Sequence, residues 1–284
     1  MENYGRFIKE IRLGKGYSQQ YVSEDICSQG NYSKIEKSEN QDIKFTSINR
    51  ILNRLEMSFE EFSFISHNYE MPKRQKILHS FYTQIFNSEN ALLSLKNECE
   101  VYLRKYPKDI LIFNIKTVLE GMLLLAKSND FTQASELLLP IWKELSNRNT
   151  LYLADIYLLN AILLVFPKST ATKIKEFACR HLAKYRGYFN VNKLKINFLM
   201  NLAMININEA DFETALTLLD EAIAECKNEK SFIKLALCYV RKGICLHKLQ
   251  ITGEDYIEKG LTLLRHLEEL ELVTMYEQEV LHFK

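Results

Sequence analysis

The chain has 284 residues with only nine glycines and four prolines, against a combined share of about 12% in average usage; that shortage excludes most sheet, barrel and Rossmann-type architectures, whose turns and phosphate loops concentrate these residues. With 47% hydrophobic residues it can bury a core, and at about 150 residues per domain the length suggests one or two domains. The formal charge of +1, from 37 Lys and Arg against 36 Asp and Glu, carries no global signature of a nucleic-acid or membrane-surface protein, so any such contact has to be local.

The opening stretch MENYGRFIKEIRLGKG is charged and lacks an apolar core segment. The greasiest later stretches, Val118 to Ala126 and Ala161 to Phe166, fall short of the roughly 18 apolar residues that a membrane span needs. A cytoplasmic protein without membrane contact is expected. The six cysteines, Cys27, Cys99, Cys179, Cys226, Cys238 and Cys245, form no CxxC pair and sit within apolar helical patterns. They are expected as reduced thiols, with neither disulfides, zinc nor another cofactor.

Residues 1–66 read as five short helices. The most specific segment is SQQYVSEDICSQGNYSKIEKSEN, residues 18–40. Ser18 is placed as N-cap of a second helix running to Ile26, with Tyr21, Val22 and Ile26 facing inward. A tight turn follows at Cys27, and Ser28 can cap a third helix to about Lys37. Tyr32 and Ile35 then point into a small core, while Gln29, Gly30, Asn31, Ser33 and Lys34 stay outside. Two short helices joined this tightly form a helix-turn-helix, which offers the N-terminal end of its second helix to a major groove.

Arg12 with Gly14 and Gly16, Ser18-Gln19, Ser28, Ser33-Lys34-Ile35-Glu36, and Leu55-Glu56-Met57 before Phe59 and Phe62 together resemble the lambda-repressor-like (XRE-type) helix-turn-helix. Two positions depart from the family pattern: Ser38 stands where Gly is usual after helix three, and Ser23 where helix two usually has Ala. By position, the resemblance makes Gln29, Gly30 and Lys34 the base-reading candidates. Gln can pair with adenine and Lys can donate to guanine, while Gly permits close approach. Gln19, Lys15, Lys44 and Ser28 are phosphate candidates, since helix N-termini and flexible cations suit sequence-independent anchoring. Arg12 and Glu36 are implied as a structural ion pair tying helix one to helix three. Residues 1–66 hold nine Lys and Arg against ten acids, so one copy binds DNA weakly and a homodimer on an inverted-repeat operator is expected.

Residues 67–73, with Pro72, read as a linker, and residues 74–284 as a second domain. About ten longer helices in antiparallel pairs are expected there, with breaks at Tyr106 to Asp109, Ser128 to Asp130, Asn147 to Thr150, Pro167 to Thr170, Asn208 to Asp211, Lys227 to Lys230 and Gln250 to Gly253. Asp130-Phe131-Thr132-Gln133-Ala134 before Leu137 and Leu138 is echoed by Asp211-Phe212-Glu213-Thr214-Ala215 before Leu218 and Leu219, a separation of two repeats of about 40 residues. A weaker echo is Asp255-Tyr256. In each, an acid can cap a helix, an aromatic can wedge against the preceding helix and a small residue permits close crossing. The expected fold is all-α, a helix-turn-helix domain joined to a TPR-like helical-repeat superhelix.

The concave face of such a superhelix commonly takes an extended peptide, and asparagines can both donate to and accept from its backbone. Asn160 sits in LYLADIYLLNAILLVF, and Asn197 and Asn201 share a face of KINFLMNLAMINI. Asn114, Thr117 and Gly121 make a similar stripe one repeat earlier. Lys234, Cys238, Arg241 and Cys245 put two cations on one line of a later helix, where they could take a peptide carboxylate. Tyr157, Phe113 and Arg148 are further candidates. Joining a helix-turn-helix to helical repeats at this length resembles the Rgg-type, peptide-responsive transcription regulators of Gram-positive bacteria. That resemblance implies a short, mostly apolar signalling peptide in the concavity and a dimer contact in the C-terminal half, for which Leu270 to Phe283 is a candidate, with swapping of heads between partners left open; peptide binding would then alter operator affinity or contact with RNA polymerase.

An enzyme is not expected: the six histidines are scattered, HExxH and GxSxG do not occur, and Gly14 to Gly16 follows no strand. Two alternatives stay open at this level. The repeats could serve dimerisation and protein docking without a peptide ligand, or the chain could be a toxin-neutralising or phage-type repressor that responds to proteolysis.

Overall fold

The computed structural model describes residues 4–37, 43–83, 88–128, 130–188 and 191–283. Among these the secondary structure is helical throughout, and the chain forms two compact units, Met1–Ser80 and Phe81–Lys284. The division falls within one helix rather than in the 67–73 stretch, where the chain makes a turn with Asn68 and Tyr69 at positive φ.

The first unit packs α1 (Tyr4–Gly14), α2 (Gln19–Ser23), α3 (Gln29–Lys37), α4 (Phe45–Arg54) and α5 (Phe59–Ser66). Its core joins Ile8, Val22, Tyr32, Ile35, Ile51, Leu52, Leu55, Met57 and Phe62. Gly5 lets α1 cross α3 closely: a Cβ there would stand 2.0 Å from the Ile35 carbonyl oxygen. Ser18 caps α2, its Oγ accepting from the Tyr21 amide at 3.1 Å, and Ser28 Oγ accepts from the Asn31 amide at 3.3 Å.

Helix two is shorter than expected, ending at Ser23 instead of Ile26. Its open carbonyls are taken from α4: Arg54 donates to Tyr21 O at 2.9 Å and to Glu24 O at 3.2 Å, and Arg50 donates to Asp25 O. With those carbonyls satisfied from outside, the helix can stop and Asp25 adopts positive φ. Tyr21 also departs from the expectation. It is exposed, lying under the Arg54 guanidinium and beside Tyr17, because Val22 alone reaches the core at that level. Ser23 is buried at the crossing and its hydroxyl donates to Gln20 O in its own helix, so the polar residue is accommodated there. Ser38 lies outside the described residues.

The chain continues through α6 (Lys73–Thr83) into α7 (Glu89–Lys105), α8 (Ile110–Ser128), α9 (Phe131–Ser146), α10 (Leu153–Ile162), α11 (Lys168–Leu182), α12 (Val191–Asn208), α13 (Phe212–Asn228), α14 (Phe232–Lys248), α15 (Glu254–His266) and α16 (Leu270–Phe283). From α7 on, each helix packs on its neighbour in sequence, and α10 also touches α8 and α12, as α16 touches α14. The even-numbered helices therefore form an inner layer and the odd-numbered ones an outer layer, the arrangement of a TPR-like repeat array. Asp130 and Asp211 accept from the amides of Gln133 and Thr214, capping α9 and α13, with Ala134 and Ala215 fully buried at the crossings. Phe131, however, is largely exposed rather than wedged. Asp255 is inside the first turn of α15, whose N-cap is Gly253.

Two further departures are breaks. Pro167 N-caps α11, so the helix already begins at Lys168. A turn between α11 and α12, with Gly187 at positive φ, is not among the expected breaks, because Tyr185 and Tyr188 around it are rings that a helix face would equally carry. No helix among the described residues is long and apolar enough to cross a membrane.

Candidate functional site

On the first unit, Gln29, Gly30, Asn31 and Lys34 are exposed along one side of α3 while Tyr32, Ile35 and Glu36 turn inward; Ser33 is half-buried. A Cβ at Gly30 would meet nothing within 4 Å, so a flat partner can approach the backbone there. Arg12 Nε donates to Glu36 Oε1 at 2.5 Å and Nη2 to Oε2 at 3.0 Å, while Nη1 donates to Tyr17 O at 2.8 Å. Burial pushes the Glu36 carboxyl up, yet hydrogen bonds from Arg12 and Gln19 outweigh it and hold the group below its ordinary value.

Gln19 extends this chain outward. Its Nε2 donates to Glu36 Oε2 at 2.7 Å, and its Oε1 accepts from Gln29 Nε2 at 3.2 Å. One N–H of Gln29 is thereby engaged, leaving its Oε1 and a second N–H for another partner, the donor–acceptor pair that adenine matches. Lys15 lies 3.3 Å from Glu56, which also accepts from Tyr17 OH at 3.0 Å; this exposed pair is weak enough for a phosphate to compete. Lys44 is exposed at the start of α4.

Within the second unit, the inner helices surround a groove of about 240 Å³. It collects six of the peptide candidates: Tyr157 and Asn160 from α10, Asn197 and Asn201 from α12, Lys234 and Arg241 from α14. Asn201 Nδ2 lies 3.4 Å from Asn160 Oδ1 and 3.5 Å from Asn160 O, long contacts that leave both amides able to pair with a ligand. Lys234 Nζ donates to Asn197 Oδ1 at 2.6 Å, and burial lowers the lysine's pKa. Tyr157 stacks on Tyr82 with centroids 4.0 Å apart, and burial raises its pKa.

Arg241 differs from the expectation of a free cation. It forms a two-pronged ion pair with Glu279 of α16, at 2.9 and 3.3 Å, and lies over the Tyr276 ring. Both side chains are 14% exposed. Burial works against the Arg241 charge, but Tyr276 and Glu279 overcome it and raise its pKa.

Four candidates lie elsewhere. Asn114 and Thr117 are buried in α8 and do not line the groove. Thr117 Oγ1 donates to Phe113 O, and Gly121 on the same stripe faces Leu138 of α9, so the stripe serves helix crossing. Arg148 bridges Glu144 at 2.5 Å and Asp155 at 2.7 Å across the α9–α10 turn, a structural tie. Phe113 is exposed with Lys116 over its ring. Cys238 and Cys245 are buried beneath the Lys234–Arg241 line. Sequence reasoning missed Phe81 and Tyr82 at the end of α6, Met122 of α8, Met200 of α12, and Met275 and Tyr276 of α16, which form much of the apolar wall. Their only signal was apolar character at positions that a core would equally use.

Residues 145–278 match the family model described as the C-terminal domain of the HTH-type transcriptional regulator Rgg. No curated protein sequence matches the chain. Among solved structures, a protein from Listeria monocytogenes EGD-e, provisionally described as a transcriptional regulator, aligns with TM-score 0.78 at 17% identity over 99% of this chain and 97% of its own. The SHP pheromone receptor Rgg2 of Streptococcus dysgalactiae aligns with TM-score 0.72 at 17% identity over 99% of this chain and 100% of its own. PlcR of Bacillus thuringiensis, solved with the peptide PapR7 and DNA, aligns with TM-score 0.68 at 18% identity over 99% of both chains. The chain therefore resembles the Rgg-type regulators in fold over nearly its whole length, and its residues 145–278 match their C-terminal domain.

Proposed function

We propose that this chain is a cytoplasmic, homodimeric transcription regulator that reads an inverted-repeat operator through α3 and senses a short, mostly apolar signalling peptide in the inner-layer groove. In this reading residues 1–66 bind DNA, 67–73 link, and 74–284 sense peptide and dimerise. The carrying observation is the convergence of Asn160, Asn197, Asn201 and Lys234 from three successive inner helices onto one groove walled by aromatic and methionine side chains. Such a surface suits an extended apolar peptide: the amides meet its backbone and the adaptable Met walls its side chains. The fold shared with Rgg2, described as a pheromone receptor, and with PlcR, solved with a peptide and DNA, supports it.

On the DNA side, Gln29 and Lys34 read base edges, while Gln19, Ser28, Lys15 and Lys44 position the backbone. The near-neutral head makes tight binding depend on two copies. An occupant of the groove touches α6 through Phe81 and Tyr82 and α16 through Met275 and Tyr276. The first leads along the chain to the head, and the second is the candidate dimer element. Binding would bias the repeat array between two arrangements and change operator affinity or contact with RNA polymerase. No catalytic step belongs to this role. Isothermal titration of the full chain with short apolar peptides encoded beside its gene tests it: saturable binding supports the reading, and absence of binding to a folded chain refutes it. Normal peptide-free regulation by an Asn160→Leu/Asn201→Leu variant would instead favour repeats that serve docking alone.

A further inference from the structure

The groove has an unbalanced charge, and that imbalance specifies its ligand more narrowly. Two cations line it, Lys234 and Arg241. Arg241 is matched within the fold by Glu279, both side chains being largely buried. Lys234 Nζ donates instead to a neutral amide, Asn197 Oδ1 at 2.6 Å, and no carboxylate lies within ion-pair distance of it among the described residues. Burial disfavours the Lys234 charge; the nearby Cys226 and Cys238 thiols offset part of that, and Lys193 on α12 adds positive potential. A partly desolvated cation without a carboxylate partner is costly, and the cost falls when an anion arrives.

The local geometry selects the kind of anion. Because Lys234 donates to Asn197 Oδ1, the Asn197 Nδ2 group is left as a donor beside two remaining N–H groups of the ammonium. One ion and one amide donor side by side suit the two oxygens of a planar carboxylate. The remaining lining, with Tyr157, Met200 and Leu237 nearby, suits apolar side chains.

Resting on the peptide-groove reading, we infer that the ligand carries a carboxylate that seats on Lys234 and Asn197, while Arg241 is a structural member of the groove wall. A peptide lacking that group leaves Lys234 unpaired and is discriminated against, and a cation at the same point is repelled. The carboxylate can be the peptide's C-terminus or an Asp or Glu side chain; the chemistry is shared.

A pool of short synthetic apolar peptides, in matched sets with free or amidated C-terminus and with one Asp or its Asn counterpart, separates these sources. The full chain is equilibrated with the pool, passed through a sizing column, and the retained peptides are quantified by mass spectrometry for wild type, K234M and K234R. The wild type is expected to retain carboxylate-bearing peptides about ten-fold or more over matched neutral ones. K234R should keep that preference, and K234M should lose it while still retaining apolar peptides weakly. Loss on amidation identifies the C-terminus, and loss on Asp→Asn exchange identifies a side chain; either supports the inference. Equal retention of charged and neutral peptides by the wild type overturns the carboxylate seat and leaves peptide sensing standing. Retention of no peptide by folded wild type overturns peptide sensing itself. Should K234M misfold by circular dichroism, the wild-type preference between matched sets decides alone.

Discussion

Replacing Arg12 by alanine should unfold the first unit without redirecting its DNA preference. The Arg12 and Glu36 side chains are 8% and 1% exposed, so the substitution strands a buried carboxylate that keeps a neutral amide, Gln19, as a donor. Removing one member of a buried pair costs about 3–5 kcal/mol, against a total near 0.05–0.15 kcal/mol per residue, or roughly 4–12 kcal/mol for a unit of this size. Much of the head's stability would go. The loss should be partly recovered in Arg12→Met/Glu36→Leu, where no charge is left buried. Acid adds a second signature. The folded Glu36 pKa is lowered, so its contribution is present above the unfolded value, about 4.5, and is lost as pH falls through the folded one. Urea unfolding of the full chain, with hydrogen exchange resolved to residues 4–37, reads both. Wild-type midpoints and protection in Arg12→Ala, or a double variant less stable than the single, would show that the pair does not hold the first unit together.

Three more outcomes follow from the same geometry. Gln29→Ala and Lys34→Ala should each cost about 1–3 kcal/mol of discrimination at one operator position, and Lys44→Ala should weaken all sequences alike and lower the salt slope; fluorescence anisotropy on selected duplexes at several salt concentrations distinguishes them. Arg241→Met should destabilise the repeat unit by about 3 kcal/mol, since Glu279 is left buried and unpaired, yet leave the carboxylate preference of the groove in place, as thermal melts and peptide retention would register. Asn201→Leu should keep the fold and reduce peptide affinity by about ten-fold through lost backbone pairing, measured by calorimetry.

Much of this architecture is legible in the residues because its signals are local. Ser18, Ser28, Asp130 and Asp211 act within three residues of themselves, as caps do. Asn197 and Asn201 share a face because they are one turn apart. What failed depended on contacts distant in sequence. The Glu279 that neutralises Arg241 is 38 residues away, and the arginines that stop α2 lie on α4. Asn114, Thr117 and Gly121 share one helix face just as Asn197 and Asn201 do, but periodicity alone cannot say which neighbour a helix face meets. In α8 it is Leu138 of α9. The groove's outer walls, Tyr82 and Met275, come from helices at opposite ends of the repeat unit, and nothing in their local spacing relates them.

The proposed coupling joins a peptide in the inner-layer groove to a duplex read by α3. Its most direct test is to titrate a duplex, selected by the full chain from the DNA upstream of its own gene, with and without a peptide retained by the groove. Operator affinity, or transcription from that duplex by purified RNA polymerase, should shift when peptide saturates, and Asn160→Leu/Asn201→Leu should abolish the response. Operator binding and transcription that both stay unchanged at saturating peptide, or binding that survives Gln29→Ala/Lys34→Ala intact, would rule that coupling out.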